Sequence, residues 1–126
     1  MLTTIPKRIL RDTARFFVPQ SIDGYQEATG REIVVRSVHM QSDNRTVKTT
    51  NNTEVTLRGT LFVDARLSSP ALDYLALQEQ AHAAGAQMTV TVTNRQGRQT
   101  GPYTVQTIEG LSDDEDNLHH WELGLV

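Results

Sequence analysis

Four histidines are the residues of this 126-residue chain with the most versatile chemistry, because imidazole binds metal ions and exchanges protons near neutral pH. They are His39, His82, His119 and His120. The adjacent pair His119-His120 suggests a metal site, but it falls in a segment that alternates like a β-strand. Neighbouring side chains on a strand point to opposite faces, so the two rings are not expected to bind one ion. No HExxH or similar ligand spacing occurs either, and we expect no metal site.

An acidic run is the second feature that could bind a cation. It consists of Asp113, Asp114, Glu115 and Asp116. The run lacks the alternating ligands, the central glycine and the terminal glutamate of an EF-hand loop. A solvated loop is the favoured interpretation, and a charge-matched protein contact or an acidic channel lining are the alternatives.

Recognisable catalytic and nucleotide-binding motifs are missing from the sequence. It contains no GxSxG nucleophile elbow, no GxGxxG and no Walker loop. Cysteine is absent, which excludes disulfides, thiolate metal sites and cysteine nucleophiles. A pair of carboxylates in a pocket stays open, although nothing in the sequence selects one. We therefore expect a protein that is not an enzyme and has no cofactor.

Composition fits one domain over residues 1–126 that works through partners. Hydrophobic residues make up 37% and aromatic residues 6%, so the core is lean and would gain from burial against other chains. The formal net charge of −3 does not resemble the basic balance of most duplex-binding proteins. We also expect no signal peptide and no membrane span.

Six segments have the β-branched content or two-residue alternation of strands. Gly59 in the third of them indicates a bulge or bend. Hairpins dominate and no βαβ repeat is present, so we predict a mostly β fold, namely a small antiparallel β-barrel or sandwich with one α-helix. The strands are expected at residues 12–18, 32–41, 54–67, 86–93, about 103–108, and 118–125.

Three further segments complete the predicted organisation. Residues 1–10 form an N-terminal arm, because Pro6 discourages a regular element. The helix should span residues 70–84, with a serine cap before Pro70, Gly85 at its end and two apolar stripes. Residues 42–53 are the longest polar stretch, which predicts a long polar loop or a mobile β-hairpin.

Several short fragments spread over most of the chain form one further pattern. The most specific is the C-terminal Leu118-His119-His120-Trp121-Glu122-Leu123, followed by Leu125-Val126. The others, in order, are Ile5-Pro6-Lys7-Arg8, Thr53-Glu54-Val55-Thr56-Leu57, Leu61-Phe62-Val63-Asp64, Ser68-Ser69-Pro70 and Tyr103-Thr104-Val105. Taken together, these fragments resemble the minor capsid proteins of long-tailed bacteriophages.

This resemblance implies a structural protein of the virion neck, similar to head-completion or stopper proteins. Such proteins form a ring, a hexamer or dodecamer, between the portal and adaptor proteins on the head side and the tail terminator on the tail side. The ring helps to retain packaged DNA and would be assembled in the host cytoplasm. An adaptor or tail-terminator protein, and a soluble ligand-binding β-barrel, are the alternative functions.

Within that role, the polar segment 42–53 is the candidate channel loop. Its side chains could line a wet channel, and its two basic residues could make transient, non-specific phosphate contacts. A neighbour-contact arm or a plain surface loop is the alternative. The candidate channel residues are Asn44, Arg45, Thr46, Lys48, Thr49, Asn51 and Asn52.

Overall fold

The computed structural model describes residues 10–22, 28–48, 52–112 and 117–126, which form six β-strands and one α-helix. Residues 1–9 of the predicted N-terminal arm and the acidic run 113–116 lie outside the described residues. In chain order the elements are β1 (Asp12–Ile22), β2 (Ala28–Lys48), β3 (Glu54–Asp64), α1 (Tyr74–Ala83), β4 (Thr89–Thr93), β5 (Gln99–Ser112) and β6 (Leu118–Leu125).

The six strands close into an antiparallel barrel with the order β1-β2-β3-β6-β5-β4. β4 pairs back onto β1, with Phe16 opposite Val90, and this pairing closes the barrel. β6 lies between β3 and β5. The predicted mostly β fold with one helix is therefore confirmed. The sequence left open whether the fold is a barrel or a sandwich, and the structure shows a barrel.

The core of the barrel comes from the inward positions of the alternating strands. Val90 and Val92 of β4 are buried while the three threonines that alternate with them are half-buried, as the alternation predicted. Trp121 and Leu123 of β6 are buried in the same cluster. Because neighbouring strands contribute inward residues at matched heights, the side chains fill the interior of the barrel.

The helix α1 packs its Tyr74, Leu77 and Ala81 face into this core. The Tyr74 ring centroid lies 5.3 Å from that of Phe16 and 5.5 Å from that of Trp121. These three aromatic rings therefore fix the helix to β1 and β6.

The predicted start of the helix near Pro70 is wrong. The helix begins at Tyr74, and Asp73 caps it by accepting a hydrogen bond from the Ala76 N–H at 3.2 Å. Ser68 instead accepts the Asp64 N–H at 2.9 Å and donates to the Ser37 carbonyl, so its hydroxyl ties the end of β3 to β2. The run Ser68-Ser69-Pro70 resembles the start of a helix, but here Ser68 closes a turn after a strand.

Most strand boundaries also differ from the prediction. β1 reaches Ile22, β2 begins at Ala28, β4 begins at Thr89, and β5 spans Gln99–Ser112. β3 ends at Asp64, not at residue 67, because the Asp64 carboxylate accepts the N–H groups of Arg66 and Leu67 at 2.8 Å each and turns the chain. β2 continues to Lys48, so residues 42–48 of the predicted polar loop belong to a strand. Of the two alternatives predicted for residues 42–53, a long polar loop or a β-hairpin, the structure has the hairpin, with a much shorter connection between β2 and β3.

Candidate functional site at the hairpin arm

β2 and β3 run beyond the rest of the barrel at one end. β1 pairs with β2 only as far as Val38, and β6 pairs with β3 only as far as Gly59. We call residues 42–48 and 52–58 the hairpin arm. Among the described residues, its two strands are paired in register only with each other, from Arg45 opposite Leu57 to Lys48 opposite Glu54.

The faces of the hairpin arm differ in character. Thr46 lies opposite Thr56, and Lys48 lies opposite Glu54, so these four side chains share one face, and all four are exposed. On the other face Leu57 is fully buried. The arm therefore presents polar groups to solvent on one side and is anchored through an apolar residue near its base.

The base of the hairpin arm is held by close packing over a glycine in β6. A Cβ atom added at Gly124 would lie 2.9 Å from Leu57 Cδ1 and would run into Thr107 Oγ1. Only glycine leaves room for the Leu57 side chain to lie across the end of β6. On the neighbouring edge the Met40 N–H donates to Asp12 Oδ2 at 2.8 Å, which ties β2 to the first residue of β1.

The strand irregularity expected at Gly59 occurs beside it. Ser42 lies opposite Gly59, whereas the next partners are Arg45 and Leu57, so β2 carries an extra residue at this point. An added Cβ at Gly59 would run into Met40 Cε and lie 2.9 Å from the Gln41 carbonyl oxygen. The bulge therefore marks the position where the arm leaves the barrel.

The structure places most of the predicted channel residues on the hairpin arm. Asn44 and Asn52 are also exposed, and Asn52 has a φ of 60°, in the left-handed region. The backbone of Arg45 is part of the ladder. Thr49 and Asn51 lie outside the described residues. Asn44, Thr46, Lys48 and Asn52 are thus brought together along one projecting element.

A second polar cluster lies at the opposite end of β6. The Nδ1 atoms of His119 and His120 approach to 2.8 Å, and the rings meet edge to face with centroids 5.0 Å apart. Strand alternation had suggested that the two rings would point apart. The rings meet even though the strand buries His119 and leaves His120 half-buried.

The surroundings of His120 combine opposing electrostatic effects. Burial lowers the pKa of His120 and the neighbouring His119 lowers it further, whereas the carboxylates of Glu122 and Asp64 act to raise it. The net direction is downward, because desolvation of the charged ring dominates. His120 Nε2 lies 3.8 Å from a Glu122 oxygen.

An outward-facing aromatic row connects this cluster to β2. The Phe62 ring lies between His39, with centroids 5.9 Å apart, and His120, with centroids 6.4 Å apart. The row crosses β2, β3 and β6 and stiffens this wall of the barrel. Within residues 10–22, 28–48, 52–112 and 117–126, no group of three or more histidines and carboxylates is arranged to hold a metal ion.

Comparison of the chain with known protein families, curated proteins and solved structures gives no match. In the part of the chain that the structure describes, no helix has the length and apolar character to cross a membrane.

Proposed function

We propose that this chain is a structural head–tail connector protein of stopper type from a tailed bacteriophage. It joins a homo-oligomeric ring, a hexamer or dodecamer, that lies under the portal and adaptor proteins of the virion neck. The ring helps to retain packaged DNA and presents a docking surface to the tail terminator. The role is structural and requires no catalytic group or cofactor, and assembly takes place in the host cytoplasm.

The observation that carries this proposal is the hairpin arm. A stopper needs a rigid body for the wall of a ring and a slender element that can reach into the channel. The closed barrel supplies the rigid body, and the arm extends beyond the strands β1 and β6 that flank it. The sequence fragments that resemble minor capsid proteins suggest this class of protein, and they span most of the chain.

The chemistry of the arm suits passing contact with DNA. Thr46, Thr56 and Lys48 are exposed on one face, together with the carboxylate of Glu54 and, nearer the base, Arg58. Hydroxyl groups interact only weakly with a polyanion. Lys48 lies opposite the Glu54 carboxylate, so the described cations of this face, Lys48 and Arg58, add only a few phosphate contacts. Such an arm would slow the exit of DNA and still permit its release.

A ring of identical chains closes through heterologous contacts, in which two different surfaces of the protein meet. Exposed apolar side chains on separate elements could serve such contacts, since Val34 on β2 is 42% exposed and Leu75 on α1 is 50% exposed. An adaptor or tail-terminator protein would use similar contacts, and the arm is what favours the stopper.

The ligand-binding barrel is less well supported by the packing. Phe16, Tyr74, Leu61 and Leu123 are fully buried and occupy the interior of the barrel together with the rest of the core. A small molecule bound in the lumen would have to displace this core, whereas a ring protein benefits from a rigid one.

The proposal is tested by shortening the arm in assembling particles. Replacing residues 47–55 by Asn-Gly joins Thr46 to Thr56 through a two-residue hairpin turn and leaves Leu57 in place. The expected result is loss of DNA from heads that have not yet received tails, while the shortened chain still binds its portal-side neighbour.

A variant that keeps the length of the arm, T46A/T56A, is the matched control and should retain DNA. Both variants are first compared with the intact chain by thermal melting. If particles with the shortened arm keep their DNA at normal levels before tail joining, the chain does not act as a stopper.

A further inference from the structure

A groove of ≈ 570 Å³ opens at the end of the barrel from which the hairpin arm projects. It lies between the start of β1, the middle of β2 and the turn from β4 to β5, and we call it the basal groove. The strand register places these three parts together, because Asp12 lies opposite Val38 on one side and Thr13 lies opposite Thr93 on the other. The basal groove is lined by Arg11, Asp12, His39, Met40, Asn94, Arg95 and Gln96.

Arginines dominate the charge of the basal groove. Arg11 and Arg95 line it, and Arg98 lines an adjoining recess of ≈ 200 Å³ that shares Asp12 and Asn94 with the groove. Among the residues that line the two spaces, Asp12 is the one carboxylate, and it already accepts a hydrogen bond from the Met40 N–H. The local charge is therefore positive, although the whole chain carries −3.

The turn that presents two of these arginines is rigidly held. The side-chain oxygen of Asn94 accepts the N–H groups of Gln96 at 3.0 Å and Arg98 at 2.9 Å. The Asn94 N–H donates to the Arg98 carbonyl at 2.9 Å. Arg95 and Arg98 are exposed, so their guanidinium groups extend from a fixed backbone into solvent. Such preorganisation lowers the entropic cost of binding.

We propose that the basal groove binds the phosphate backbone of duplex DNA. Guanidinium groups pair with phosphates through two parallel hydrogen bonds, and a groove lined by several of them recognises a polyanion without reading its sequence. The inference deepens the proposed function and rests on it, because the stopper role is what places this end of the barrel at a DNA channel.

The position of the groove favours DNA over an acidic protein segment. The groove and the hairpin arm share one end of the barrel, so an arm that reaches into the channel carries the groove to the channel wall. Exposed Lys48 and Arg58 lie at the same end and outnumber the exposed Glu54 opposite Lys48. Exposed Glu32 and Glu109 lie toward the other end. A chain that is acidic overall is thereby oriented with its basic end toward the polyanion.

The test measures binding of the full chain to a short fluorescein-labelled duplex of mixed sequence by fluorescence anisotropy over a range of salt concentrations. R95A/R98A removes two guanidinium groups from the fixed turn. Each phosphate contact contributes a slope of about −0.9 to log K against log salt, so losing two contacts lowers the magnitude of the slope by about 1.8. We expect the affinity at about 50 mM salt to fall at least about tenfold.

Two further variants make the result specific. R15A/R31A removes the same charge from exposed positions on the barrel wall and on β2, and it should leave the affinity within about twofold of the intact chain. R95K/R98K keeps the charge but loses the paired hydrogen bonds, so it should weaken binding without changing the salt slope. If R95A/R98A melts at a lower temperature than the intact chain, the comparison with R95K/R98K still tests the proposal.

Three results would overturn the proposal: no duplex binding at low salt, equal losses in R95A/R98A and R15A/R31A, or tighter binding of polyglutamate than of duplex. The last would assign the groove to an acidic protein segment. Duplex binding that depends on the groove, together with normal DNA retention in particles with the shortened arm, would contradict the stopper role and leave the groove proposal standing. DNA loss from those particles, without duplex binding by the chain, would support the stopper role and contradict the groove proposal.

Discussion

The Nδ1 atoms of His119 and His120 lie 2.8 Å apart, although the two residues are neighbours on one strand. At this distance one ring donates its N–H and the other accepts it, so the pair accommodates a single proton between the two nitrogens. The bond requires one of the two Nδ1 atoms to carry no proton. Only if both Nδ1 atoms carried a proton would two N–H groups oppose each other.

We expect stability to fall in mild acid because His120 is partly buried. Burial holds the pKa of His120 below its ordinary value of 6.5. Above pH 6.5 the ring is largely neutral in both states and adds little pH dependence. Below pH 6.5 the unfolded chain binds the proton more readily than the folded chain, so the free energy of unfolding decreases until the lowered pKa is passed.

Urea unfolding on both sides of pH 6.5 measures this effect in the intact chain and in H120Q. On going from above to below pH 6.5, the free energy of unfolding should decrease less in H120Q than in the intact chain. H82Q is the matched control, because His82 is exposed on α1, and it should keep the decrease of the intact chain. An H120Q profile that overlies the intact one would show that His120 does not govern the response.

The Tyr74 hydroxyl gives a second prediction. It is buried, and among the described residues it has no hydrogen-bond partner. Burial also raises the pKa of Tyr74 well above its usual range, so the hydroxyl stays protonated. Because an unpaired buried hydroxyl opposes folding, Tyr74→Phe should stabilise the protein by about 1 kcal/mol.

Thermal melting compares this variant with Tyr74→Leu. The phenylalanine keeps the ring contacts with Phe16 and Trp121, and its melting temperature should rise. The leucine loses those contacts and should melt earlier. A phenylalanine variant that melts below the intact chain would mean that the hydroxyl has a partner in solution.

Much of the barrel follows from alternation, and the places where the prediction fails have physical causes. β6 occurs at residues 118–125 as predicted, because His119, Trp121, Leu123 and Leu125 bury one side of it. The end of β2 was taken for part of a polar loop because both strands of the arm have an exposed polar face. Pairing with each other, and not burial, holds Thr46 and Lys48 in a strand.

Contacts between residues distant in sequence account for the other differences. The cap at Asp73 competes with the more conspicuous Ser68-Ser69-Pro70, and the choice depends on Ser68 binding Ser37 across the sheet. The basal groove likewise combines Arg11 with Arg95, which no local pattern connects. Only the order of the strands shows that these two arginines line one groove.

Gly124 gives the third prediction, which concerns the base of the hairpin arm. In Gly124→Ala the new methyl group would run into Thr107 Oγ1 and press on Leu57 Cδ1. Overpacking of this kind costs about 1–3 kcal/mol. We expect a lower melting temperature and faster proteolysis within the arm, because the Leu57 side chain could no longer pack against β6 at Gly124.

The double variant T107A/G124A removes the hydroxyl oxygen that the added methyl group meets, so it should recover part of the lost stability. Thr107→Ala alone is the reference for the effect of that substitution. If Gly124→Ala melts like the intact chain, the contact between Leu57 and β6 does not hold the arm in place.

The position of β6 between β3 and β5 has a consequence for biosynthesis. β3 emerges from the ribosome long before β6, yet its pairing edge has no partner in the barrel until residues 118–125 have been made. A nascent chain ending before β6 carries two open sheet edges, on β3 and on β5. Such edges are templates for pairing between chains. On a polysome that makes many copies close together, this interval is when the barrel is most exposed to misassembly.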